Sequence, residues 1–224
     1  MYRRGNRCHA SAGPQQGERL PPKETGRQET LIASGGKNCC LLALAVSFAG
    51  IHAQAQIGDL SLADAQGKIH AIGELKNHQA TVFLFVNSEC PVSNGFCPVY
   101  EKLHRDFAGK GIGFFAVYCQ TDLSPAEIIL HGKEYKILFP QLLDPKQALA
   151  KRVKICLTPE AVVVDAKGKT LYQGRINDWY APNGKRKAAP ARQDLEEALK
   201  EIVAGKAITA PRAPGFGCPL PPAP

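Results

Sequence analysis

The chain has 224 residues, a formal net charge of +8 at pH 7, 44% hydrophobic residues and 21% charged ones. That length fits one domain with extensions rather than two full domains, and the apolar content excludes a wholly disordered chain. The first 55 residues carry seven Lys/Arg against three Asp/Glu, so from Gln56 onward the balance is 21 basic to 17 acidic, too even to mark a nucleic-acid surface.

Residues 1–36 are rich in Gly, Arg, Gln, Pro and Glu without periodicity, which predicts a disordered extension. Lys37 then precedes an apolar run from Cys39 to Ile51 and a small-x-small signal, Ala53-Gln54-Ala55. The run is short for a bilayer span, so residues 37–55 read as a secretory signal peptide cleaved after Ala55, with a buried or membrane-anchoring helix as the alternative. A signal peptide's basic region normally opens a chain, and the expected start is therefore near residue 31, the stretch before it being a gene-model extension.

The predicted domain covers residues 56–206. Asp64-Ala65-Gln66-Gly67-Lys68 is a turn between two short strands. Val82–Val86 is apolar and β-favouring throughout, a buried strand that ends in Asn87-Ser88-Glu89 and delivers Cys90 to a helix start. Val92, Phe96, Val99, Leu103 and Phe107 recur at helical spacing, and the helix closes at Gly109. Gly111–Tyr118 is a second buried strand, so strand, helix and strand imply a parallel pair. Ser124-Pro125 with Glu127 caps a helix through about Tyr135, and Phe139–Leu143 is extended. Asp144-Pro145 opens a helix through about Val153 by the same cap-and-proline logic. Ala161–Asp165 and Thr170–Gly174 form a hairpin, and Gln193–Val203 is the last helix, stopped near Gly205. Residues 207–224 are a Pro-rich surface tail carrying Cys218.

Of the eight cysteines, Cys8, Cys39 and Cys40 precede the domain, leaving Cys90, Cys97, Cys119, Cys156 and Cys218. No Cys-x-x-Cys occurs, which removes the simplest zinc, dithiol and c-type haem readings, and neither a cofactor nor a resident metal is expected. Cys90 is the candidate nucleophile, because the free N–H groups and dipole of a helix start stabilise a thiolate and lower a cysteine pKa from about 8.5 to roughly 3.5–7.5.

The order of elements around Cys90, Pro98 eight residues later, and Thr158-Pro159 leading into a hairpin and last helix resemble the thioredoxin-like α/β fold. This is a three-layer architecture with a central mixed sheet between helices. The resemblance is to its redoxin branch, the alkyl hydroperoxide reductase/thiol-specific antioxidant family, over about Ile57 to Lys206. Ser88-Glu-Cys-Pro-Val-Ser-Asn94, Gly174-Arg-Ile-Asn-Asp178 and the closing Gly217-Cys-Pro are similar to exported bacterial redoxin-domain proteins. It implies a thiol-disulfide oxidoreductase or thiol-dependent peroxidase of the periplasm, working on a disulfide or peroxide with a thiol reductant. It also implies a cis bond at Thr158-Pro159 facing the thiol, where freed backbone groups receive an incoming peptide.

Departures from the pattern narrow the chemistry. Ser93 stands where a thioredoxin dithiol has its second cysteine. Asn87 and Phe83 stand where a peroxiredoxin has threonine and proline, leaving Asn87 as a substitute polar group. Arg175 is the candidate for the family's catalytic arginine, a surface strand arginine being the alternative. Cys97 lies two helical turns from Cys90, roughly 10 Å against a disulfide limit of about 7 Å between Cα atoms. Cys119 and Cys156 approach the site in order of elements, but Cys218 in its glycine-flanked tail is the first choice to resolve an oxidised Cys90, with an external thiol as the alternative. The rival reading is a non-catalytic binding module or copper carrier. Copper-delivery proteins of this fold use Cys-x-x-x-Cys-Pro, whereas six residues separate Cys90 from Cys97-Pro98, and His70, His78, His104 and His131 are scattered.

Overall fold

The computed structural model describes residues 57, 60–72, 75, 77–181 and 183–223. The predicted disordered extension and signal peptide lie outside the described residues. Strand β3 (Ala80–Val86) is buried along its whole length, as its unbroken apolar and β-branched composition requires of a strand covered on both faces. It pairs in parallel with β4 (Ile112–Tyr118) and antiparallel with β7 (Glu160–Asp165).

The remaining strands are added outward. β5 (Gln141–Leu143) extends the β4 side in parallel, and β8 (Thr170–Gly174) forms the predicted hairpin with β7. The six-stranded mixed sheet has the order β5-β4-β3-β7-β8-β9, its last strand, β9 (Arg212–Ala213), coming from the tail. A separate antiparallel pair joins β1 (Ser61–Ala63) to β2 (Ile69–Ala71) across the predicted turn, where the Asp64 carboxylate accepts the N–H groups of Gln66 and Lys68.

Side chains alternate along β3, so Val82, Leu84 and Val86 enter one core while Phe83 and Phe85 enter another. The first core is closed by α2 (Cys97–Phe107), by Ile128 of α3 (Pro125–Glu134) and by α5 (Asp194–Val203). The second is closed by α4 (Ala148–Val153) with Ile57, Leu62 and Ile72. Helices on both sides of a mixed sheet make the three-layer α/β arrangement.

Three expectations are corrected. The helix after Cys90 is broken into α1 (Pro91–Gly95) and α2, with Phe96 between them. Pro98 lacks an N–H to give the Asn94 carbonyl and its ring crowds that carbonyl, so helix geometry cannot run through. The helix after Asp144-Pro145 starts at Ala148, and Asp144 still caps it from a distance, accepting N–H bonds from Ala148, Leu149 and Ala150 at 2.6, 3.0 and 3.0 Å. The tail lies at the surface as its composition predicts, but it is bound into the fold. It adds β9 to the sheet edge and β10 (Cys218–Pro219) to β6 (Leu157–Thr158). Among the described residues no helix is long and apolar enough to cross a membrane.

Candidate functional site

Cys90 is the N-cap of α1, and the Ser93 N–H donates to its sulfur at 3.4 Å. The loop that presents it is tied at each step. Asn87 Oδ1 accepts the Glu89 N–H at 2.8 Å, the Cys90 N–H donates to the Asn87 carbonyl at 3.1 Å, and the Asn87 N–H donates to Ser93 Oγ at 3.2 Å. Asn87 and Ser93 therefore hold the loop in shape through their own polar groups. Ser93 is fully buried, and it contacts the sulfur through its backbone rather than its hydroxyl.

Opposite the sulfur stands β6. The Thr158–Pro159 peptide is cis, and the Thr158 carbonyl oxygen lies 3.6 Å from Cys90 Sγ. Cys218 closes the gap from the other direction, since Cys90 and Cys218 are joined in a disulfide across 128 positions of sequence, with Cα atoms 6.1 Å apart. Cys218 lies opposite Thr158 in the β10–β6 register, the Leu220 N–H donates to the Cys156 carbonyl at 3.0 Å, and Gln147 Nε2 donates to the Pro221 carbonyl at 2.7 Å.

A layer of polar side chains that sequence reading did not find lies behind the Cys90 loop. The Ser88 N–H donates to Gln120 Oε1 at 3.0 Å, and Gln120 Nε2 returns a bond to Ser88 Oγ at 3.0 Å. Asn94 Nδ2 donates to the Ser88 carbonyl at 2.7 Å, its Oδ1 meets His131 Nε2 at 3.0 Å, and His131 Nδ1 meets the Tyr118 hydroxyl at 2.8 Å. With Asn94 oriented in this way, His131 donates from Nε2 and accepts at Nδ1 from Tyr118, which is the neutral tautomer. Burial holds the His131 pKa below the usual histidine range. These residues come from α1, β4, α3 and two loops, and only Ser88 and Asn94 belong to the stretch singled out in the sequence.

Arg175 is not a free surface arginine, its side chain being paired with a buried carboxylate. Its Nε donates to Asp194 Oδ2 at 2.8 Å, a carboxylate 1% exposed at the start of α5, and Tyr172 Oη donates to the Arg175 carbonyl at 2.6 Å. The Arg175 side chain lines a small pocket with Phe96, Pro159, Tyr180 and Phe216. Tyr180 stacks on Phe216 with ring centroids 5.6 Å apart and planes 17° from parallel, and Phe96 meets Tyr180 at 5.9 Å and Trp179 edge-on at 5.8 Å.

Cys97 and Cys119 are free and buried. Burial pushes the Cys97 thiol up to about 12 and raises Cys119 as well, so neither supplies a thiolate at neutral pH. His104 packs on Phe114 and Phe139 at 5.5 and 5.1 Å between centroids. Among the described residues no three His, Cys, Asp or Glu side chains are grouped to hold a metal ion.

A mixed sheet whose central strand ends in a helix-start cysteine, facing a buried Thr-Pro loop from the neighbouring strand, defines a thioredoxin-like redoxin. Residues 53–173 match the model of the AhpC/TSA family, and the chain belongs to that family. None of the curated proteins searched matches it. Among solved structures it is similar to a hypothetical protein from Sinorhizobium meliloti 1021, at 24% identity and TM-score 0.66, over 75% of this chain and 92% of that one. It is also similar to an uncharacterized conserved protein from Geobacillus kaustophilus, at 23% identity and TM-score 0.67, over 76% and 92%. A protein from Chlorobium tepidum, provisionally named thiol:disulfide interchange protein DsbE, matches at 16% identity and TM-score 0.51 over 68% and 95%. These are likenesses of fold.

Proposed function

We propose that this protein is an exported thiol-disulfide oxidoreductase in which Cys90 attacks and Cys218 resolves. The observation that carries the reading is the Cys90–Cys218 disulfide, formed where the tail lies in register against Thr158 beside Pro159. In the reducing direction the Cys90 thiolate attacks one sulfur of a substrate disulfide, and the other sulfur leaves with the electron pair and takes a proton. The Cys218 thiolate then attacks Cys90 Sγ and expels the second substrate sulfur as a thiolate, which is protonated in turn. One substrate disulfide becomes two thiols while the enzyme's two thiols become the Cys90–Cys218 bond. A thiol reductant restores the enzyme.

Asn87 and Ser93 position Cys90, Thr158 and Pro159 form the docking edge, and Arg175 with Asp194 fixes the wall beside it. When the disulfide is reduced, the Ser93 N–H favours the Cys90 thiolate. Export follows from the signal peptide read at residues 37–55, and a functional disulfide suits an oxidising compartment. Disulfide exchange is preferred over peroxide reduction because Asn87 and Phe83 stand where a peroxiredoxin has its threonine and proline, and Arg175 is paired with Asp194.

The test is steady-state turnover of protein-disulfide and hydroperoxide substrates. Cys90→Ser should abolish both, and retained activity would sink the assignment. Cys218→Ser should leave a mixed disulfide on Cys90, seen by mass spectrometry, with the disulfide substrate preferred. Faster turnover of the hydroperoxide would replace exchange with peroxidase chemistry.

A further inference from the structure

We propose that the edge held by the tail is a peptide-docking groove that selects an extended segment with glycine immediately before its reactive cysteine and an aromatic residue before the glycine. The inference rests on the thiol-exchange reading above and adds the sequence rule of the substrate. Its template is the chain's own Phe216-Gly217-Cys218-Pro219-Leu220.

The strand β6 pairs only with β10 among the described residues, so its docking edge is filled by the tail and by no other strand. Cys218 and Leu220 fall on the bonding positions of that ladder, Cys218 opposite Thr158 and Leu220 donating to the Cys156 carbonyl. Pro219 falls between them, where a ladder needs no N–H, and its lack of a donor costs nothing there.

The decisive position is Gly217. A Cβ added there would overlap the Thr158 carbonyl oxygen and stand 2.6 Å from the Thr158 carbonyl carbon and 3.0 Å from Pro159 N. All three atoms are backbone of the loop that faces Cys90, so no side chain can swing aside to make room. Any residue but glycine must lift the strand off Thr158 and carry the cysteine away from Cys90 with it. One residue earlier, Phe216 stacks on Tyr180 beside Phe96 and Arg175, which gives the groove an aromatic seat at a fixed distance from the sulfur.

Every one of these contacts lies within five residues of the tail and uses only backbone, one ring and one sulfur. None depends on the segment being attached to this chain. A second polypeptide with the same short pattern would meet the same edge, with the tethered tail as its competitor at an effective concentration on the order of millimolar. Capture resolves the competition. The Cys90 thiolate attacks the substrate disulfide, one substrate sulfur leaves as a thiolate, and the covalently held Gly-Cys segment takes the edge. The Cys218 thiolate then displaces it from Cys90 as the tail returns.

The experiment uses the full chain carrying Cys218→Ser, so that a captured peptide stays on Cys90. The probes are the pentapeptides Phe-Gly-Cys-Pro-Leu and Phe-Ala-Cys-Pro-Leu, each activated as a mixed disulfide with a nitrothiobenzoate leaving group, and the symmetrical aromatic disulfide as a small control. The glycine peptide should form its disulfide with Cys90, releasing the nitrothiobenzoate thiolate, roughly tenfold or more faster than the alanine peptide, with the small control reporting the intrinsic reactivity of Cys90. Adding Gly217→Ala to the protein should lift the competing tail and speed capture of the glycine peptide more than it speeds the small control, which gains only from the uncovering of Cys90. Equal rates for the two peptides, with Cys90 still reacting with the small control, overturn the groove rule and leave the oxidoreductase reading standing. A Cys90→Ser/Cys218→Ser protein that reacts with the small control as fast as Cys218→Ser overturns both.

Discussion

Cys90 and Cys97 sit seven positions apart on neighbouring helices, yet their environments set them opposite tasks. Cys90 caps α1 and receives an N–H at its sulfur, whereas Cys97 is buried in the core with its thiol pushed up to about 12. A thiol raised so far stays protonated at a pH of about 8. After reduction, iodoacetamide should therefore label Cys90 and Cys218 and leave Cys97 and Cys119 unmodified in the folded protein, as read by peptide mass spectrometry. Cys90 and Cys97 are equally buried while the tail is docked, so labelling of Cys97 at a rate near that of Cys90 would contradict the contrast between a sulfur capped by a helix-start N–H and one whose thiol is pushed up. His131 makes a second residue-scale prediction. Burial lowers its folded pKa below the unfolded value of about 6.5, so the unfolded chain binds the proton more readily. The stability it contributes is complete above about pH 6.5 and is lost as pH falls through the folded pKa. Urea midpoints at about pH 7 and pH 5.5 should diverge less in His131→Gln than in the parent, and an unchanged divergence would rule His131 out as a source of it. His104, lowered by burial too, contributes in the same direction.

At the scale of elements, α4 tests whether a cap can act from beyond a turn. Asp144 is 1% exposed, its N–H bonds reach three residues of the first turn, and a turn closed by the Gln147 N–H on the Asp144 carbonyl separates it from them. Asp144→Ala would orphan three donors in the second core and should cost about 2 kcal/mol or more in a denaturant titration; a loss below about 0.5 kcal/mol would mean that water replaces the carboxylate. The same helix shows what sequence reveals and what it hides. Asp144-Pro145 spells a cap, but the letters do not say that a turn intervenes. The β3 and β4 strands, the α3 capping box and the β7–β8 hairpin were legible because their signals are local: apolar runs, Ser124 with Glu127, and a Gly-containing turn between two β-favouring runs. Cys90 was legible for the same reason. The Ser88–Gln120–Asn94–His131–Tyr118 layer was not, because its members are brought together only by the packing of α1, β4 and α3. Gly217 did leave a signal, a glycine before a cysteine in a proline-rich tail, but its meaning needs the Thr158 backbone beside it.

For the whole molecule, the Cys90–Cys218 bond makes the last residues of the chain part of the fold. It ties the end of the central strand's loop to a tail that also completes the sheet through β9, where Gly174 has no room for a side chain against the Ala213 carbonyl. In the chain-entropy account, a cross-link spanning 128 positions removes from the unfolded ensemble freedom equivalent to at most about 5 kcal/mol. Each redox cycle therefore exchanges a closed, more stable molecule for an open one whose tail is held by β9, the short β10 ladder, Phe216 and hydrogen bonds such as Gln147 to Pro221. Comparing the oxidised parent with Cys90→Ser/Cys218→Ser, both without added reductant so that every other bond is left as it was, isolates this term. The double variant should unfold at a lower denaturant concentration, and hydrogen exchange at Leu220, whose N–H is bonded to the Cys156 carbonyl, should quicken while β3 stays protected. Equal midpoints with Leu220 still protected would mean that the tail docks by its own contacts and the disulfide merely records its position.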